Sequence, residues 1–97
     1  MILYDVLKLI DSGENTLSSI CYKISIRYIS LKSYINILKG FGFIEFRSAS
    51  EDELRKDARS KWFIGLTNKG KLFIRDIEVF DEKYDGFLLG ERIWISG

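Results

Sequence analysis

Five of the polar side chains in one ten-residue stretch are the outward candidates for chemistry: Arg27, Tyr28, Lys32, Ser33 and Asn36. An arginine fork matches the O6/N7 edge of guanine, an asparagine amide matches the N6/N7 edge of adenine, and lysine and hydroxyl groups grip phosphate oxygens. A second cationic cluster follows at Arg55, Lys56, Arg59 and Lys61. The types therefore suit a polyanion with readable edges. The competing reading of Lys32, Ser33 and Asn36 is a solvated helix face. Glu51, Asp52 and Glu53 stand beside the second cluster and would be repelled by phosphate.

The net charge of +1 conceals an uneven distribution. Residues 15–50 hold five cations against Glu45, and residues 54–75 hold seven against Asp57. Residues 76–91 reverse the sign, with six carboxylates against Lys83. Two basic blocks and one acidic segment describe a chain with one phosphate-facing side.

Catalytic and metal chemistry find little to work with. The chain has no His and a single Cys. A nucleophile therefore has no imidazole base, and a zinc site would need carboxylates almost alone. Cys21 has no partner for an internal disulfide, which fits a reducing, cytoplasmic setting. Its two readings are a small core hydrophobe and a thiol sensor. Gly40-Phe41-Gly42 closes a helix and enters a strand, so it is no phosphate-cradling loop. The expectation is a protein that is not an enzyme and needs no cofactor or metal. With no apolar run of about 20 residues, no membrane partner is expected either.

The elements that must position these side chains follow from periodicity. Ile2, Leu3, Val6, Leu7, Leu9 and Ile10 recur at helical spacing, which predicts a helix over 2–12 ended by Gly13. Thr16 caps a short helix over 16–24 with Ile20 and Ile24 inside. Leu31, Ile35 and Leu38 form the stripe of a third helix over 29–41. The β-branched and aromatic runs 43–47 and 61–66 predict a hairpin with a long polar link, and Asn15-Thr16 could add a short third strand. Within the link, Ser50-Glu51-Asp52-Glu53 matches a capping box and so one helical turn. Thr67 caps a fourth helix over 67–85. Along it Phe73, Ile77, Phe80, Tyr84 and Phe87 are spaced 4, 3, 4 and 3, a heptad seam. Phe73, Ile77, Phe80 and Tyr84 are the candidate dimerisation residues, with Phe73 expected also to pack on its own subunit's core together with Leu72, and lining a pocket between subunits is the alternative use of the seam.

Ile20-Cys21-x-x-Ile24-Ser25-Ile26, Leu31-x-x-x-Ile35-x-x-Leu38-x-x-x-Gly42-Phe43-Ile44 and Leu66-Thr67-x-x-Gly70 occur in order and at family-like spacing. Over roughly residues 2 to 85 they resemble the winged helix-turn-helix family. The long last helix is most similar to small archaeal and archaeal-virus members that dimerise through it, and to the multiple-antibiotic-resistance regulators. The resemblance implies an α+β, mostly α fold: a winged helix-turn-helix with a long C-terminal dimerisation helix. It also implies one domain over 1–97, with a core at 2–66, that helix at about 67–85 and a tail at 86–97. As function it implies binding of double-stranded DNA by a homodimer, as a transcriptional regulator or an architectural protein. The third helix would read bases and the wing, with Arg55, Lys56, Arg59 and Lys61, would grip the duplex. A protein-interaction module without DNA binding is the alternative. Two positions depart from the family pattern. Ser25 stands where Gly is usual, and Arg27 where Ser or Thr is usual, so Ser30 competes as the cap of the third helix.

Overall fold

A computed structural model describes residues 1–48 and 62–90. The element order is α1 (Ile2–Asp11), α2 (Leu17–Ile24), α3 (Tyr28–Gly40), β1 (Ile44–Ser48), β2 (Trp62–Leu66) and α4 (Asn68–Lys83). This is the α+β, mostly α arrangement expected, with four helices and a two-stranded antiparallel sheet among the described residues.

Several helix ends have a local reason. Past α1 the chain turns at Gly13, whose N–H donates to the Ile10 carbonyl. The Thr16 hydroxyl accepts from the Ser19 N–H at 3.2 Å and so caps α2. Ser25 then takes the left-handed conformation, φ 54° and ψ 45°, and turns the chain into α3. It fills the position where the family usually has glycine, and its Cβ makes that conformation costly. Ser25→Gly is therefore expected to stabilise the protein by up to about 1 kcal/mol, read as a higher urea midpoint with an unchanged slope.

The third helix starts one residue earlier than its periodicity suggests. Arg27 is its N-cap without a side-chain capping bond, and Ser30 lies inside the helix. Ser30 is therefore not the cap. At the other end Gly42 adopts φ 78°, and the Phe43 N–H returns to the Leu38 carbonyl at 3.0 Å. The chain thereby enters β1 directly beneath α3.

β1 and β2 pair with Ile44 opposite Leu66 and Ser48 opposite Trp62. Among the described residues the sheet has two strands, without the third expected at Asn15-Thr16. The Ile64 N–H donates to the Asn15 carbonyl at 2.9 Å and ties the α1–α2 link to the hairpin. The hairpin link, including the capping box at Ser50-Glu51-Asp52-Glu53, lies outside the described residues.

The core collects Val6, Leu7 and Ile10 from α1, Ile20 from α2, and Leu31, Ile35 and Leu38 from α3. Ile44, Ile64 and Ile74 close it from the sheet and α4. Cys21 packs against this cluster, in keeping with its reading as a small hydrophobe. No buried side-chain polar atom among the described residues lacks a partner.

α4 is docked through its first turn. The Thr67 hydroxyl accepts from the Gly70 N–H at 3.0 Å and donates to the Gly42 carbonyl at 2.6 Å. The Thr67 N–H donates to the Phe43 carbonyl, and Lys69 Nζ reaches the Phe41 carbonyl at 2.7 Å. Farther along, Glu78 accepts from the Tyr4 hydroxyl at 2.6 Å and lies 3.5 Å from Lys8 Nζ. Burial and this bond to Glu78 push the Tyr4 phenol from 10.0 up to about 12, so it remains the donor at neutral pH. The helix ends at Lys83, two residues before the expected 85, and at about 1.5 Å per residue spans roughly 24 Å. Asp85 and Gly86 then take positive φ, and the Leu88 and Leu89 N–H groups both bind Asp81 Oδ1.

The heptad seam of α4 needs correction. Ile77 is 7% exposed within its own chain. Phe73 stacks on Phe43 with ring centroids 4.3 Å apart. Both are committed to the fold of one subunit, as expected for Phe73 but not for Ile77, whereas Leu72, Phe80 and Tyr84 remain exposed. The physical reason is the neighbour Ile74, which is buried and rotates the core-facing side of the helix onto Gly70, Phe73, Ile74 and Ile77.

Candidate nucleic-acid interface

The third helix buries Leu31, Ile35 and Leu38 along one side. At 100° per residue the opposite side carries Ile29, Lys32, Ser33 and Asn36, and all four are exposed. Arg27 and Tyr28 stand exposed at the N-terminal end of the same helix. The structure thus brings Arg27, Tyr28, Lys32, Ser33 and Asn36 to one helix, with Lys32, Ser33 and Asn36 sharing its outer face. The Ser33 hydroxyl donates back to the Ile29 carbonyl at 3.3 Å, which leaves its oxygen as an acceptor toward solvent.

No carboxylate interrupts this surface in sequence: residues 15–44 contain no Asp or Glu. Lys23, Arg27, Lys32 and Lys39 lie in that stretch. Lys23 is partly neutralised by Glu14 at 3.8 Å. Lys39 lies over the Phe46 ring at 4.7 Å, which holds its ammonium at the α3–β1 junction. On the hairpin, Arg47 is exposed and its guanidinium lies 5.8 Å from the Phe63 ring centroid. Arg55, Lys56, Arg59 and Lys61 lie outside the described residues.

A run of acidic residues lies in the second half of α4 and just past it. Asp76, Glu78, Asp81, Glu82 and Asp85 follow the first half of α4, and that first half holds Lys69, Lys71 and Arg75. No group of three or more metal-ligating side chains occurs among the described residues, and no helix there is long and apolar enough to cross a membrane.

Sequence reasoning passed over two exposed side chains. Ile29 is 80% exposed in the first turn of α3, and Tyr22 is 85% exposed on α2. Apolar residues are usually assigned to a core. The signal that could have found Ile29 is its phase: two positions before Leu31, it cannot share the Leu31, Ile35 and Leu38 stripe.

A short helix, a sharp turn and a second helix with a polar outer face, followed by a two-stranded hairpin, define a helix-turn-helix with a wing. A family model described as winged helix-turn-helix matches residues 1–85. The chain belongs to the winged helix-turn-helix family, whose members point to DNA as the partner. No curated protein and no solved structure gives a significant match.

Proposed function

We propose that this chain is a non-catalytic DNA-binding protein that regulates transcription or organises DNA as a homodimer. The observation that carries the reading is the outer face of α3. It is exposed, opposite the core, and set in thirty residues without a carboxylate. In a winged helix this helix enters the major groove, and its side chains meet base edges there. Asn36 suits adenine, Arg27 suits guanine or a phosphate at the helix end, and Lys32 suits the backbone. Tyr28 and Ser33 add hydroxyl contacts. The wing residues Arg55, Lys56, Arg59 and Lys61 supply further cations for phosphate or the minor groove.

Dimerisation rests on the outer side of α4. Leu72, Val79 and Phe80 are exposed there, with Tyr84 at the helix end. A twofold pair of α4 helices would cover them and offer two α3 helices to the duplex. Successive major grooves on one side of B-DNA lie about 34 Å apart, the spacing that such a pair must match.

The test is a titration of labelled duplexes with wild type and variants at about 50 and 200 mM salt. Wild-type affinity should fall steeply between the two, because each neutralised phosphate releases counterions. Arg27→Ala and Asn36→Ala should each cost roughly 1 to 3 kcal/mol and relax sequence preference. Arg59→Ala and Lys61→Ala should weaken all duplexes alike and flatten the salt slope. Absence of binding even at the lower salt would sink the DNA reading and leave a protein-interaction module.

A further inference from the structure

We infer that Ile29 is a specificity-determining residue that reads the C5-methyl group of thymine, so that the outer face of α3 selects A·T pairs in the major groove. The inference rests on the DNA-binding reading above and adds the chemistry of the target.

Ile29 is 80% exposed, so most of its apolar surface stays in water. A lone exposed isoleucine on an ordinary surface needs no explanation. Its position gives this one meaning. It lies in the first turn of α3, opposite Leu31, Ile35 and Leu38, on the face that a recognition helix turns to base edges. Arg27 and Lys32 flank it and carry the charge that draws phosphate to either side. Among the four base pairs, the thymine methyl is the one apolar group presented in the major groove.

The rest of the stripe asks for the same base pair. Ser33 and Asn36 follow Ile29 at four and seven residues and share its side of the helix. Ser33 spends its hydroxyl proton on the Ile29 carbonyl, so it faces outward as an acceptor. Adenine offers N6–H₂ as the matching donor. The Asn36 amide is suited to the N6/N7 edge of adenine. From Ile29 to Asn36 the helix rises about 10 Å, which spans roughly three base-pair steps. A methyl-reading side chain, an acceptor and an amide in that order fit successive A·T pairs.

The experiment compares two hairpin duplexes of alternating A·T pairs, identical except that deoxyuridine replaces every thymine in one. Only the methyl group differs in the groove. Wild type is expected to bind the uracil duplex about fourfold more weakly for each methyl covered. Ile29→Ser is expected to bind both duplexes equally, with helicity and unfolding midpoint retained because the side chain is outside the core. Equal wild-type affinity for the two duplexes would overturn the inference while leaving the DNA reading intact. A preference for thymine that survives in Ile29→Ser would also overturn it, since the methyl would then act through duplex shape or another residue. Failure to bind either hairpin or a mixed-sequence duplex at low salt would instead overturn the DNA reading beneath it.

Discussion

Gly70→Ala is expected to destabilise the protein by about 3 kcal/mol, near the upper end of the usual cost of overpacking. Gly70 is buried in the first turn of α4. A Cβ built there runs into the Phe43 carbonyl oxygen and comes within 2.8 Å of Leu66 Cδ1. The carbonyl is held by the Thr67 N–H, and Thr67 is in turn bonded to the Gly42 carbonyl. Backbone in that position has nowhere to retreat. The gain of up to about 1 kcal/mol from replacing helical glycine by alanine is too small to offset the clash. Gly40→Ala is the control. It ends α3 with a negative φ and nothing within 4 Å of its Cβ, so it should be neutral or slightly stabilising. Urea titration of the two variants decides the matter. A Gly70→Ala midpoint equal to wild type would mean that α4 can move off the α3–β1 junction.

That junction explains why much of the fold was legible in the sequence. Thr16 and Thr67 are caps because a hydroxyl before a helical stripe satisfies a free N–H, and both caps form. The Leu31, Ile35 and Leu38 stripe is buried as its spacing requires. Periodicity is silent, however, on what a stripe faces. The run from Phe73 to Tyr84 reads equally well as a surface for a second chain or for the chain's own core. The burial of Ile74 in the core cluster and the stacking of Phe73 on Phe43 resolved it toward the core at Phe73 and Ile77. Ser25 hides its left-handed turn because its residue type does not demand positive φ. The Asn15 carbonyl does accept from the Ile64 N–H, although the sheet among the described residues stays two-stranded. At the site, polar types pointed to Arg27, Lys32, Ser33 and Asn36. Ile29 escaped because its value lies in its exposure, which a residue type alone does not reveal.

The correction to α4 moves the proposed dimer surface and sharpens its test. Val79→Asp combined with Phe80→Asp is expected to convert the proposed dimer to monomers. Val79 is 56% exposed and Phe80 45%, so roughly half of each side chain remains to be covered by a partner. At about 1.5 to 3 kcal/mol for complete burial of such a side chain, the four copies in a twofold pair contribute roughly 3 to 6 kcal/mol. Loss of that amount raises the dissociation constant by roughly 10² to 10⁴. The proposed pairing is antiparallel. Lys69, Lys71 and Arg75 occupy its first half and most of its carboxylates the second, so a parallel pair would set like against like. With Val79 opposite Phe80 of the second copy, an antiparallel register also sets Asp76 opposite Lys83. Asp76→Lys should then weaken association modestly, since exposed ion pairs are worth about 0.2 to 1 kcal/mol, and adding Lys83→Asp should restore it. Sedimentation velocity over a concentration series reads all three variants. A Val79→Asp, Phe80→Asp protein that keeps the wild-type sedimentation profile would place the interface away from α4. Weakening by Asp76→Lys that Lys83→Asp fails to repair would leave the interface on α4 but reject this register. The first turn of α4 is locked to the end of α3 through Thr67, Lys69 and Gly70. The register of the α4 pair would therefore fix the separation of the two α3 helices, and a dimer variant should lose affinity for paired half-sites while retaining binding to a single one.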